Sequence, residues 1–110
     1  MEVKKTALAT IVICKKNTVD DFFVDFLKNY SNFKNENLIV DLSVVKGVKK
    51  ESILLFLPSA KEHRKNGMSF VVVTSGIHAD RLPEEFITAP TIREANDIIE
   101  MENIERDLGI

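Results

Sequence analysis

The polar residues with the clearest chemical potential follow the apolar run of residues 38–42. Asp41 and Ser43 stand where this run ends, and they form a candidate polar site. A short basic loop comes next, and five residues in and after it are candidates for contact with a partner: Lys46, Lys49, Lys50, Glu51 and Ser52. In α/β domains, a functional site often lies where the carboxyl end of a strand passes into a helix. We therefore predict that residues 41–52 contain the site.

Each of these candidates also has a simpler structural interpretation. A carboxylate and a hydroxyl such as those of Asp41 and Ser43 can act in catalysis, but an aspartate at a strand end more often accepts a hydrogen bond from a nearby backbone N–H. Gly47, followed by Lys49 and Lys50 ahead of a helix, offers an anion site through free N–H groups. A plain loop with solvated lysines is the ordinary alternative. The chain's four glycines are isolated, so the phosphate-loop and dinucleotide-binding motifs are absent.

The classical nucleophiles and metal ligands are sparse. Cys14 is the single cysteine, and His63 and His78 are the two histidines, so no pair has the spacing of a zinc site. Cys14 follows a predicted strand, and we expect it to act as a buried small hydrophobe. We assign His63 to the basic, solvated face of a helix and His78 to a loop. We predict no catalytic residue, no metal and no cofactor.

The composition describes an ordinary globular domain with an uneven distribution of charge. The chain has 110 residues, 45% of them hydrophobic, and a formal net charge of −2. A slightly acidic balance disfavours binding to nucleic acid or to an anionic membrane. The middle of the chain is basic and the last predicted helix is acidic, so either could be a docking surface or a solvated face. A single cysteine, together with the absence of a signal sequence or a long apolar segment, predicts a cytoplasmic protein.

The hydrophobic pattern predicts a single α/β domain that spans residues 1–110. We expect four strands, at residues 6–15, 38–42, 69–74 and 86–89. We expect helices at residues 19–33, at residues 49–65 and from residue 92, with Thr18 and Thr91 as N-caps. Pro58 should kink or break the second helix near residues 54–58, and Asn66-Gly67 should end it. This alternation favours a four-stranded, mostly parallel or mixed sheet with helices packed on it.

The central part of the chain resembles a STAS domain, the fold of anti-anti-sigma factors and of the cytoplasmic tails of sulfate transporters. Four features carry the likeness: the strand at residues 38–43, the apolar helix at 53–57, the turn Asn66-Gly67 and the strand at 70–73. The later strand and the final helix fit the same order. The resemblance implies a STAS-like domain that works through protein–protein contact.

The chain departs from this family at its phosphorylation site. Phosphorylated members carry Asp-Ser-Ser-Gly, or a near variant, at the start of the second helix. Counting back from Gly67, the matching positions are Lys49, Lys50, Glu51 and Ser52, so a lysine replaces the serine that accepts phosphate. Lysine cannot become a phosphoserine switch. Ser52 is left as a displaced candidate acceptor.

A second likeness lies at the C-terminus. Residues 89–95 and 99–109 look like the ending of short bacterial chains that often carry a ribonuclease Z label. Ribonuclease Z needs a His-x-His-x-Asp-His zinc motif, and this chain has two distant histidines. We therefore do not expect that activity here.

Our main hypothesis is a non-catalytic, cytoplasmic STAS-like interaction module whose protein partner contacts residues 44–52 and the adjoining helix. One alternative is an accessory protein of an RNA-processing nuclease, and another is a small nucleotide- or anion-binding domain. The exposed side of the acidic last helix is a candidate surface for a homodimer.

Overall fold

A computed structural model describes residues 1–77 and 82–109. Within them, the strands are β1 (Glu2–Lys5), β2 (Thr10–Ile13), β3 (Leu38–Asp41), β4 (Phe70–Val73) and β5 (Ile87–Ala89). The helices are α1 (Val19–Asn29), α2 (Lys50–Ile53), α3 (Leu57–Lys65) and α4 (Ile92–Asp107). Short 3₁₀ turns, Tyr30–Asn32 and Leu54–Phe56, follow α1 and α2. His78, which we predict to lie in a loop, is outside the described residues.

The strands form one mixed sheet in the order β1-β2-β3-β4-β5. β1 is antiparallel to β2, whereas β2 through β5 run parallel to one another. The predicted α/β class is therefore confirmed, but the sheet has a fifth strand that the prediction missed. β1 has the sequence Glu-Val-Lys-Lys, and all four residues are exposed. With a single apolar residue, it lacks the alternation of apolar and polar residues that would indicate a strand.

The segment predicted as one long first strand is instead part of a hairpin. Thr6 closes its turn: the Thr6 hydroxyl donates to the Ala9 carbonyl at 2.8 Å and accepts from the Ala9 backbone N–H at 3.0 Å. β2 then begins at Thr10. The apolar residues that suggested a strand from residue 6 onward lie partly in this turn.

The aromatic stripe of α1 forms part of the core. Thr18 caps the helix as predicted, because its hydroxyl accepts a hydrogen bond from the Asp21 backbone N–H at 3.1 Å. Phe22 and Phe26 are fully buried, and the ring of Phe26 meets that of Phe56 edge to face, with 5.3 Å between centroids. These contacts join α1 to the 3₁₀ turn after α2.

The second helical segment is broken where Pro58 predicts a break. α2 ends at Ile53, the chain makes one 3₁₀ turn, and α3 restarts at Leu57. Pro58 falls in the first turn of α3, where a missing N–H costs nothing because that group has no partner inside the helix. α3 ends at the predicted Asn66-Gly67 turn, and Gly67 adopts a φ of +83°.

The sheet separates two hydrophobic cores. α1, α2 and α3 cover one face, whose core contains Phe22, Phe56 and Val40. α4 covers the other face, where Ala95 and Ile99 pack on residues such as Val71. β3 and β4 are apolar without alternation because both of their faces are covered. None of the helices in residues 1–77 and 82–109 is both long and apolar enough to cross a bilayer.

Candidate functional site

A groove opens at the carboxyl edge of the sheet, between the loop that follows β3 and the start of α1. β2 and β3 are parallel neighbours, so the loops that leave their carboxyl ends meet at this edge. The groove has a volume of about 590 Å³. Its lining comprises Asn17, Thr18, Val19, Asp20, Val45, Lys46, Gly47, Val48, Lys49, Glu51 and Ser52. We call this feature the loop groove.

Local hydrogen bonds and one glycine shape the β3–α2 side of the loop groove. The Asp41 carboxylate accepts a hydrogen bond from the Ser43 backbone N–H at 2.9 Å. The Val45 N–H then donates to the Leu42 carbonyl at 3.0 Å, which closes a turn. Gly47 adopts a φ of +64°, a conformation that other residues rarely adopt. The loop therefore has a defined path before α2 begins at Lys50.

The structure places four of the five predicted contact residues in the lining of the loop groove. Lys46, Lys49 and Glu51 are exposed there, and Ser52 is partly buried beside them. Lys50 is exposed but lies outside the lining. The predicted residues thus cluster on one surface.

Asp41 and Ser43 are not part of that lining. The hydrogen bond between the Asp41 carboxylate and the Ser43 N–H matches the structural interpretation of Asp41, in which an aspartate at a strand end stabilises the following turn. Ser43 is exposed, and its backbone serves as the donor in that bond. The Asp41 carboxylate therefore stabilises the first turn of the loop.

The charges of the loop groove are balanced. Lys46 and Lys49 contribute two ammonium groups, and Asp20 and Glu51 contribute two carboxylates, so the formal charges of the lining cancel. The N-terminus of α1 adds a partial positive charge, but the acidic residues of its first turn oppose it. A balanced lining of this kind suits a mixed-charge protein surface better than a polyanion.

Apolar side chains stand among these charges. Val44 is 64% exposed at the outer part of the loop. Val45 and Val48 are partly buried and pack against the core beneath α1 and α2. Apolar groups surrounded by charged ones are the arrangement seen in protein–protein interfaces, where a water-excluding centre has a polar rim.

His63 does not lie where the sequence predicted, on a solvated helix face. It is fully buried, and both of its ring nitrogens are engaged. Nε2 lies 2.6 Å from the Glu36 carbonyl oxygen, so Nε2 donates; Nδ1 lies 2.6 Å from the Tyr30 hydroxyl, which then donates to it. The prediction was wrong because the 3₁₀ turn after α1 packs over this side of α3. Tyr30 comes from a distant part of the sequence, so the helical pattern of residues 49–65 could not reveal the contact.

The environment of His63 favours the neutral imidazole. Burial lowers the pKa of His63, the hydrogen bond to the Glu36 carbonyl partly opposes this, and the charge of the neighbouring Arg64 lowers the pKa further. Glu36 precedes β3, so this cluster lies toward the amino edge of the parallel strands. The loop groove lies at the opposite edge, so His63 is not part of it.

Cys14 is buried, as expected, and its environment disfavours the thiolate. The Sγ atom lies 3.7 Å from the Lys16 carbonyl oxygen, within reach of a weak hydrogen bond. Burial raises the pKa of the Cys14 thiol, and the hydrogen bond to Lys16 only partly offsets that effect. An inert structural thiol is the result.

In the part of the chain that the structure describes, no group of three His, Cys, Asp or Glu side chains is arranged to hold a metal ion. The sequence matches no protein-family model and none of the curated proteins with which it was compared. The function is therefore argued from the geometry and chemistry of the loop groove.

Proposed function

We propose that this domain is a non-catalytic, cytoplasmic interaction module of the STAS-like type that contacts a protein partner through the loop groove and the adjoining helix α2. The observation that carries the proposal is the exposed cluster of Lys46, Lys49 and Glu51 around apolar residues of the same loop. Such charges steer the encounter and select the partner, while the apolar residues contribute burial.

The order of the elements supports the STAS-like part of the proposal. A hairpin leads into α1, β3, the α2–α3 pair, β4, β5 and α4. In the STAS resemblance, the start of α2 corresponds to the place where phosphorylated members carry their acceptor serine. α2 begins at Lys50, so Lys50, Glu51 and Ser52 form its first turn. A lysine at the acceptor position gives a module whose binding does not depend on that phosphate.

Quantitative affinity capture from the native host, with the full chain as bait, tests this proposal. Reversal of two charges, K49E/K50E, should deplete a specific partner by about tenfold or more, because like charges across an interface are strongly unfavourable. K28E/K34E is the matched control, since it makes the same change in net charge on exposed lysines elsewhere. If both variants retain every protein that the wild type captures, the loop groove is not the docking surface.

One alternative has a specific observation in its favour. The volume of the loop groove, about 590 Å³, lies within the range of small-molecule sites, and two lysines line it. A nucleotide- or anion-binding domain is therefore our second candidate. Calorimetric titration with AMP and with inorganic phosphate distinguishes this candidate from the protein-interaction module. Saturable binding that is lost in K46Q/K49Q would favour the nucleotide- or anion-binding domain.

A role beside an RNA-processing nuclease finds less support. Arg64 is paired with Glu102 at 3.0 Å, and Lys61 is paired with Glu85 at 3.3 Å. In such a role the basic middle of the chain would contact RNA phosphates, and these partners neutralise two of its cations. Binding at low salt that weakens steeply as salt rises would restore this alternative.

A further inference from the structure

The outer side of α4 and its C-cap residue, Leu108, present three large apolar side chains to solvent. Met101 is 57% exposed, Ile104 is 53% exposed and Leu108 is 68% exposed. Their spacing of three and four residues places them on one side of the helix. We call these three residues the α4 stripe. The residues that attach α4 to the sheet, Ala95 and Ile99, are fully or nearly fully buried and belong to a different side.

The α4 stripe is not needed to hold the helix in place. A polar cluster at the start of β4 fixes the C-terminal half of α4: Glu102 accepts from Arg64 at 3.0 Å and from the Ser69 hydroxyl at 2.6 Å. Arg106 donates to the same Ser69 hydroxyl at 3.0 Å. These contacts and the buried residues secure the helix, and the three side chains of the stripe belong to neither hydrophobic core.

Acidic side chains surround the α4 stripe. Beside Met101 lies a shallow depression of about 390 Å³, lined by Asp97, Ile98, Met101, Glu102 and Glu105. Glu100 adds a further exposed carboxylate on the same helix. Among residues 1–77 and 82–109, the salt bridges of α4 involve Glu102 but not Asp97, Glu100 or Glu105. The stripe therefore lies among carboxylates that have no cationic partner in the described structure.

This combination selects the chemistry of an occupant. Exposed apolar residues three and four apart are the pattern by which one helix packs against the apolar side of another, as in coiled-coil pairs. Uncompensated carboxylates beside them favour a helix whose polar flanks carry lysine or arginine. A second α4 from another copy of the chain would bring like charges together. We infer that the α4 stripe is a docking site for a basic amphipathic helix of a partner protein.

This surface is separate from the loop groove. α4 covers one face of the sheet, whereas the groove is formed by segments that belong to the other face and its carboxyl edge. The inference therefore does not depend on the proposed function. If both hold, the domain joins two partners across its sheet.

A designed peptide tests the inference with the full chain. The probe is a labelled peptide of about 18 residues with leucines three and four apart and lysines or arginines on its flanks. A scrambled peptide of the same composition keeps the charge and loses the apolar face. Binding is measured by fluorescence anisotropy at low and high salt, and its position by amide chemical shifts.

The amphipathic peptide should bind at least about tenfold more tightly than the scrambled one, with shifts concentrated on α4. M101Q/I104Q should weaken binding by about tenfold or more without changing charge. D97N/E105Q should reduce its salt dependence. The matched control is V24Q, because Val24 on α1 is 52% exposed and equally apolar; it should bind like the wild type.

Four results would overturn the inference. Equal binding of the scrambled peptide, or no binding of either peptide, would remove the helix-docking surface. Unchanged binding by M101Q/I104Q would place the contact elsewhere. Sedimentation that shows a wild-type dimer, lost in M101Q/I104Q, would identify a second copy as the occupant instead.

Discussion

Acidification should destabilise this domain through His63. In the folded protein, the buried imidazole donates from Nε2 to the Glu36 carbonyl and accepts at Nδ1 from the Tyr30 hydroxyl. A protonated ring has donors at both nitrogens, so it could no longer accept from Tyr30. The charge would also be buried beside Arg64, which lowers the pKa of His63 together with the desolvation.

The sign and the size of the effect follow from this lowered pKa. The unfolded chain binds a proton at His63 near pH 6.5, whereas the folded chain does so only at lower pH. Between these two pKa values the unfolded state holds more protons, so the free energy of unfolding increases with pH. Above about pH 6.5, His63 is neutral in both states and does not change the free energy of unfolding. As the pH falls below about 6.5, the free energy of unfolding decreases. One group contributes at most about 1.4 kcal/mol per pH unit.

Urea unfolding between about pH 5 and about pH 7.5 measures this slope. The matched variant is His63→Gln, whose amide keeps a donor and an acceptor but does not titrate in this range. All other titratable groups are the same in both proteins, so the difference between the two slopes isolates His63. We expect the wild type to lose up to about 1.4 kcal/mol more per pH unit than the variant as pH falls below about 6.5.

A second variant tests the hydrogen bond itself. Tyr30→Phe leaves Nδ1 buried without its donor, which should cost about 1–3 kcal/mol at neutral pH. The same change should cost less in the His63→Gln background if the two residues are coupled. Equal slopes for the wild type and His63→Gln would refute the reasoning. So would a folded-state His63 titration, followed by NMR, with an unshifted pKa near 6.5.

Three further predictions concern the thiol, a helix cap and the loop groove. The Cys14 thiol should react with an aromatic disulfide reagent only slowly in native buffer and rapidly in denaturant, because burial raises its pKa and blocks access; fast labelling of the native protein would contradict this. Thr91→Ala should lower the free energy of unfolding by about 1 kcal/mol, since the Thr91 hydroxyl accepts from the Glu94 N–H at 3.1 Å; Ser, which keeps the hydroxyl, is the control in urea unfolding. Gly47→Ala should cost about 1–2 kcal/mol through its φ of +64° alone, because an added Cβ meets nothing within 4 Å; an unchanged free energy of unfolding would show that the loop relaxes without strain.

Local patterns predicted much of this fold correctly. The helical spacing of aromatic residues in α1, the hydroxyl caps Thr18 and Thr91, and the break before Pro58 all depend on neighbours within a few positions. Such signals act over one or two helical turns, so they can be read from the chain directly. The apolar runs of β3 and β4 were also predicted correctly as strands. A strand that is covered on both faces needs no alternation of apolar and polar residues.

The loop groove was predicted in part. The rule that loops at the carboxyl ends of parallel strands form sites led to the β3–α2 side and selected Lys46, Lys49, Lys50, Glu51 and Ser52. All of these except Lys50 line the groove. Its other side is the start of α1, which no short-range pattern connects with that loop. Only the parallel pairing of β2 with β3 brings the two together.

The amino-acid sequence by itself determined the α/β class, most element boundaries and the loop that carries the candidate contact residues. Only the tertiary structure decided that β1 adds a fifth strand, that His63 is buried and that the α4 stripe is exposed. The physical reason is the same in each case. Burial and pairing depend on what packs against a residue, and for His63 that neighbour is Tyr30, 33 positions away in the chain.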